Sequence, residues 1–164
     1  MRSRTAEWFE CKIKYEKTME DGLQKKVSES YVVDALSFTE AEDRIIEEMS
    51  SYISGEFKVA DIKQAPYKEI FFSDDEMADK WYKAMLAFIT INEKTEKEKR
   101  SNVNYLVQAG SFGSAMRAID EVMGGTMIDY VIVSIAETSL WDVFEYKSPE
   151  NADDDNKPEY EEGI

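Results

Sequence analysis

The sequence predicts an α+β fold built from two tandem β-hairpin–helix–β units, and three observations carry that prediction. The phrase YVVDALSFTEA at residues 31–41 returns at 105–115 as YLVQAGSFGSA, with Tyr, Val, Ala, Ser, Phe and Ala in the same places. WFECKIKYEKT at 8–18 and WYKAMLAFITI at 81–91 each open on Trp and an aromatic and then alternate. Behind each repeated phrase comes a run with apolar residues four apart. Self-similarity at a fixed spacing is the mark of a repeat. The units are placed at 7–72 and 80–146, packed about a pseudo-two-fold axis with antiparallel sheets, because one helix on so small a sheet buries too little apolar surface to stand alone.

In the first unit, Phe9, Cys11, Ile13 and Tyr15 share one face of a strand; Tyr82, Ala84, Leu86 and Phe88 do so in the second. Period two is the signature of a half-buried strand. Charged connections follow, EKTMEDGLQKK and NEKTEKEKRSN, and Asp21-Gly22 marks the first as a hairpin turn. The repeated phrases supply the second strands. Ser37 and Ser111 then read as helix N-caps, the first with Glu40 three residues on in a capping-box pattern. Ala41, Ile45, Met49 and Ile53 form one helix face, and Ala115, Ile119 and Met123 the other. Gly55 and Gly124-Gly125 read as the stops. EFKVADIKQAPYKEIFF and DYVIVSIAETSLWDVFEY close the units as further strands, with Pro66 breaking the first because it cannot donate to a ladder.

The net charge of −15 is uneven. Residues 148–164 hold seven acids (Glu150, Asp153, Asp154, Asp155, Glu159, Glu161, Glu162) against Lys157, which leaves −9 for the rest. Two prolines, few apolar residues and a charge block make that segment a predicted disordered tail. No run approaches the roughly 18 apolar residues of a membrane span. MRSRTAEWFE lacks the apolar segment of a signal peptide, and Cys11 is the lone cysteine. The chain is therefore expected in the cytoplasm of a bacterial host cell, away from membranes.

Chemistry is hard to place on this sequence. It contains no histidine, so the commonest general base and metal ligand are missing. One cysteine cannot build a zinc site. GSFGSA at 110–115 lacks the Lys and spacing of a phosphate loop and reads as a helix entry. Glu40, Glu42, Asp43, Glu47 and Glu48 read as a solvated helix face. No enzyme activity, cofactor or metal is expected.

A binding module is left. Lys12, Lys14, Lys17, Lys25 and Lys26 line the first hairpin, and Lys94, Lys97, Lys99 and Arg100 the second. Each arm is net positive within an acidic body, and Trp8 and Trp81 flank them as candidate stacking surfaces. Cationic arms beside aromatics suit single-stranded DNA, where phosphates take the charge and bases take the rings. The alternative is a protein-interaction module, such as a phage-encoded mimic of DNA that inhibits a host enzyme through its acidic surface. A second copy of the chain is a further candidate partner.

The end of the chain, DDDNKPEYEEGI, resembles the C-termini of bacterial and phage single-stranded DNA-binding proteins, although it lacks the Pro-Phe ending of the bacterial ones. That resemblance implies a tail in which Asp153, Asp154, Asp155, Tyr160 and Ile164 contact replication or recombination proteins. The segments WFECKIKYEKTMEDG, YVVDALSFTEAEDRIIEEM, SGEFKVADIK and SIAETSLWDVF make the body similar to an uncharacterised family of gut Bacteroidetes and their phages. That likeness implies a phage or mobile-element setting and transfers no catalytic residues.

Overall fold

The structure, a computed structural model, describes residues 1–146. In chain order it runs β1 (Arg2–Arg4), β2 (Trp8–Thr18), β3 (Gln24–Asp34), α1 (Phe38–Tyr52), β4 (Phe57–Gln64), β5 (Tyr67–Phe72), β6 (Lys80–Ile91), β7 (Glu98–Ala109), α2 (Phe112–Gly124), β8 (Asp129–Glu137) and β9 (Leu140–Phe144). The class is α+β. The acidic segment 148–164 lies outside the described residues.

Both helices start where a serine can cap them. Ser37 Oγ accepts from Glu40 N at 3.1 Å and Ser111 Oγ from Ser114 N at 3.2 Å, each satisfying an orphan first-turn amide. Glu40 reaches back to Leu36 N (3.3 Å), one residue before the cap. Gly124-Gly125 ends α2 as expected, while α1 stops ahead of Gly55. Ile53, in extended conformation, caps α1 before Gly55, and Gly125 caps α2 with an ordinary right-handed φ of −80°. Among the described residues Gly22 is the one glycine with positive φ, +83°, and it makes the first hairpin turn.

Two sheets form, in the orders β4-β2-β3-β9 and β1-β5-β7-β6-β8. Leaving β1 aside, they correspond strand for strand. Even the irregularities correspond: β2·β4 is bulged between Lys12 and Ile13, and β6·β8 between Met85 and Leu86.

The sheets are not purely antiparallel as expected. Each is mixed, because the last strand of each half leaves its own sheet and joins the other. β5 pairs parallel with β7, and β9 pairs parallel with β3. Pro66 ends β4's ladder and Thr138–Ser139 ends β8's, so the chain crosses at both breaks. A strand that arrives from the other sheet, with no hairpin linking it to its new neighbour, is free to run parallel.

Three apolar clusters set four layers. α1 packs Ala41, Ile45 and Met49 on Phe9, Cys11, Ile13 and Val33 of the first sheet. α2 packs Ala115, Ile119 and Met123 on Tyr82, Ala84, Leu86 and Val107 of the second. Between the sheets, Trp8, Val32 and Val143 of the first meet Ile70, Phe72, Trp81 and Leu106 of the second. Phe72 is central there, with its ring 6.5 Å from Trp8 and edge-on to Trp81 at 5.7 Å.

A buried charge cluster ties the ends of this sandwich. Asp34, closing β3, is 5% exposed and pairs with Arg44 of α1 and Arg4 of β1. It also accepts from Tyr146 N at 2.7 Å. Glu145 pairs with Arg2 and Arg4. At the matching place in the other half, the amide of Ser73 donates to Gln108 Oε1 at 3.0 Å, and no charge is used.

Candidate nucleic-acid interface

Strand alternation decides where each hairpin lysine points. The side of the first sheet away from α1 carries Lys12, Lys14 and Lys26; the α1 side carries Lys17 and Lys25, which pair directly across the hairpin. All five are exposed. Lys14 also faces Lys58 of β4 across the ladder.

An open groove of about 860 Å³ runs along the outer part of this hairpin. Lys14, Lys26 and Lys58 line it, together with Glu16, Glu56 and the half-buried rings of Tyr15 and Phe57. Three lysines against two glutamates give the groove a positive balance within a chain of −15. Beneath it, the Tyr15 hydroxyl donates to Glu29 Oε1 at 2.5 Å and the Tyr31 hydroxyl donates to Oε2 at 2.6 Å. Glu29 is 6% exposed, so its carboxylate is satisfied by two phenols and no cation. Burial, reinforced by the bond to Glu29, pushes the Tyr15 phenol up to about 12 and raises that of Tyr31 as well. Both stay protonated donors at neutral pH, which holds the Tyr15 ring in place at the groove wall.

The second arm is a separate surface, since its strands belong to the other sheet. Lys94, Lys97, Lys99 and Arg100 are all exposed, and Arg100 Nε lies 3.4 Å from Glu98. Asn92 Oδ1 accepts from Lys94 N at 2.9 Å, and Glu96 sits at φ +58° to turn the chain.

Trp8 and Trp81 are corrected. They are 1% and 3% exposed and fill the layer between the sheets, where truncating an aromatic costs about 3–5 kcal/mol. Neither ring can stack on a base. Two residues the sequence reading passed over belong to the first arm instead. Lys58 joins it through the β2·β4 pairing, which no local pattern reveals. Trp141 is 57% exposed, and Lys17 Nζ lies 5.7 Å from its ring centre. The candidate tail residues Asp153, Asp154, Asp155, Tyr160 and Ile164 lie outside the described residues.

Among the described residues no three His, Cys, Asp or Glu side chains converge to hold a metal ion. No helix there is long and apolar enough to cross a membrane. Burial pushes the Cys11 thiol up to about 12, with Glu10 and Asp61 adding to the effect, so it is a packing residue and not a nucleophile.

A family profile described as a domain of unknown function, DUF4494, matches residues 7–146. The chain belongs to that family. The DUF4494 region takes in every strand from β2 to β9, both helices and every residue of the groove, and leaves out β1 and the acidic segment. No curated protein and no solved structure matches the chain.

Proposed function

We propose that this DUF4494 protein is a non-enzymatic single-stranded DNA-binding protein that grips the strand's phosphates on its first hairpin. The supporting observation is the convergence of Lys14, Lys26 and Lys58 on one open groove walled by Tyr15 and Phe57. Phosphates take the lysines, and the apolar wall tolerates unpaired bases. Lys12, Lys17 and Lys25 widen the cationic field, and the second arm offers a separate contact for a longer strand. The acidic segment 148–164 competes for the same lysines and is free for replication or recombination proteins once DNA holds the groove. The protein works in the host cytoplasm, in a phage or mobile-element setting.

Fluorescence anisotropy with labelled single-stranded and double-stranded DNA at two salt concentrations tests this. Three phosphate contacts on a single strand give a log–log salt slope of about −2. Lys14→Glu with Lys26→Glu weakens binding and flattens that slope. Removal of residues 148–164 tightens it at low salt. A tailless chain with no single-strand affinity at low salt refutes the reading.

One observation favours a second reading, a protein-interaction module. The edge strand β8 and its approach expose Met127, Ile128, Val131 and Val133, an apolar strip on the half of the molecule away from the groove. Binding through that strip would be insensitive to salt and unaffected by Lys14 and Lys26.

A further inference from the structure

The groove continues onto the α1 side of the first hairpin, where Tyr15 and Val27 line it. Lys17 and Lys25 follow on that side toward the turn. Trp141 reaches the same place from β9, on the far side of β3, so the Lys17–Trp141 pair bridges across that strand.

Packing alone does not account for this ring. At the matching place in the other half, the exchanged strand β5 carries Lys68, whose ammonium lies 5.6 Å from the centre of the half-buried Phe88 ring. That half makes its cation–π contact with the aromatic largely covered. The first half puts the larger ring on the exchanged strand and leaves it 57% exposed. An exposed cation–π pair contributes about 0.5–1 kcal/mol, little for the apolar area left in water. An exposed indole beside Lys17, which pairs with Lys25 one step along the strands from the groove's Tyr15 and Val27, has the parts of a stacking site.

We propose that Trp141 is a base-stacking platform, with Lys17 and Lys25 taking the phosphates on either side of the stacked nucleotide. This rests on the nucleic-acid reading above and adds what that surface recognises: an unpaired base, not charge alone. Lys17 gives up the ring to the base and turns to the adjoining phosphate.

The three tryptophans make the test direct, because Trp8 and Trp81 are buried and Trp141 is the exposed one. The full chain is titrated at low salt with oligo(dT) and, separately, with inorganic polyphosphate, which has the charge without bases. Oligo(dT) is expected to quench the exposed indole and shield it from acrylamide, and polyphosphate to do neither. Trp141→Ala should weaken oligo(dT) binding roughly 5- to 150-fold, the equivalent of about 1–3 kcal/mol per stacked base, with polyphosphate binding unchanged. Trp141→Phe should retain most of the affinity, which separates stacking from a folding defect. Equal quenching by polyphosphate overturns the proposal. Oligo(dT) binding that ignores Trp141→Ala also overturns it and leaves the lysine groove standing. Failure of oligo(dT) to bind both the full chain and a chain lacking residues 148–164 overturns both proposals.

Discussion

Replacing Asp34 with Ala isolates the charge cluster that joins β1, β3, α1 and the end of β9. The Asp34 side chain is 7% exposed, and it neutralises Arg44, itself 10% exposed, and Arg4, which is 32% exposed. The two arginines do not suffer alike. Arg4 keeps Glu145 at 3.2 Å and is open enough to be solvated. Arg44 loses the one carboxylate it pairs with among the described residues and keeps only the Asp34 backbone carbonyl, and Tyr146 N loses its acceptor. Removing one partner of a buried pair costs about 3–5 kcal/mol, chiefly as the penalty on the charge left behind. At about 2–4 °C per kcal/mol for a chain of this size, the melting temperature should fall by roughly 6–20 °C. Thermal unfolding followed by circular dichroism at neutral pH measures it. Asp34→Asn, which keeps a carbonyl for Tyr146 N, should fall between. Adding Arg44→Met to Asp34→Ala should restore much of the loss, because no buried charge is then orphaned. A drop under about 1 kcal/mol, or strict additivity in the double variant, would refute the argument.

Three more outcomes follow from the same geometry. Burial pushes the Glu145 carboxyl up, but Arg2 and Arg4 outweigh it and hold it below its ordinary value of 4.5. Its contribution to stability is therefore complete above the ordinary carboxylate range and fades as the pH falls through the depressed value, so Glu145→Gln should flatten the loss of stability between about pH 5 and 3 in urea titrations. Cys11 should resist a thiol reagent at pH 8 in the native protein and react at once in urea; rapid native labelling would contradict its burial. Gly110→Ala should cost about 1–3 kcal/mol, since its Cβ would stand 2.6 Å from the Met77 carbonyl oxygen and the linker backbone must move. Gly55→Ala, with nothing within 4 Å, should be neutral by the same measurement.

Local features were legible in the sequence because local forces make them. Alternation placed Cys11, Ile13, Ala84 and Leu86 inward, and Ser37 and Ser111 start their helices because a side-chain oxygen three residues ahead of a free amide needs no tertiary context. Strand destinations were not legible. YKEIFF and LWDVF are short apolar strands whose composition is the same whichever sheet receives them, so the exchange of β5 and β9 had no local sign. β1, three residues with two arginines, carries no strand pattern of its own and forms only against its partner β5. The site was partly legible for the same reason. Counting lysines along the chain grouped Lys25 with Lys26, yet neighbours on a strand face opposite sides, and only Lys26 lines the groove. Trp8 and Trp81 sit beside basic runs in sequence, but the interface between the sheets claims them. Trp141 is the ring left open, and its exposure depends on which strand β9 joins, which LWDVF alone does not show.

The exchange of final strands bears on when a binding surface can exist at all. Ser30 pairs with Leu140, so the first sheet lacks its last strand until nearly the whole folded region has been synthesised. Partners that far apart must close a long loop before the contact repays it, which slows folding and leaves the β3 edge open in the meantime. Neither half can be complete alone, and separately expressed halves would have to find one another to finish either sheet. Trp141 rides on that last strand. The proposed stacking platform is therefore assembled at the end, and a chain that presents Trp141 there is one that has finished folding.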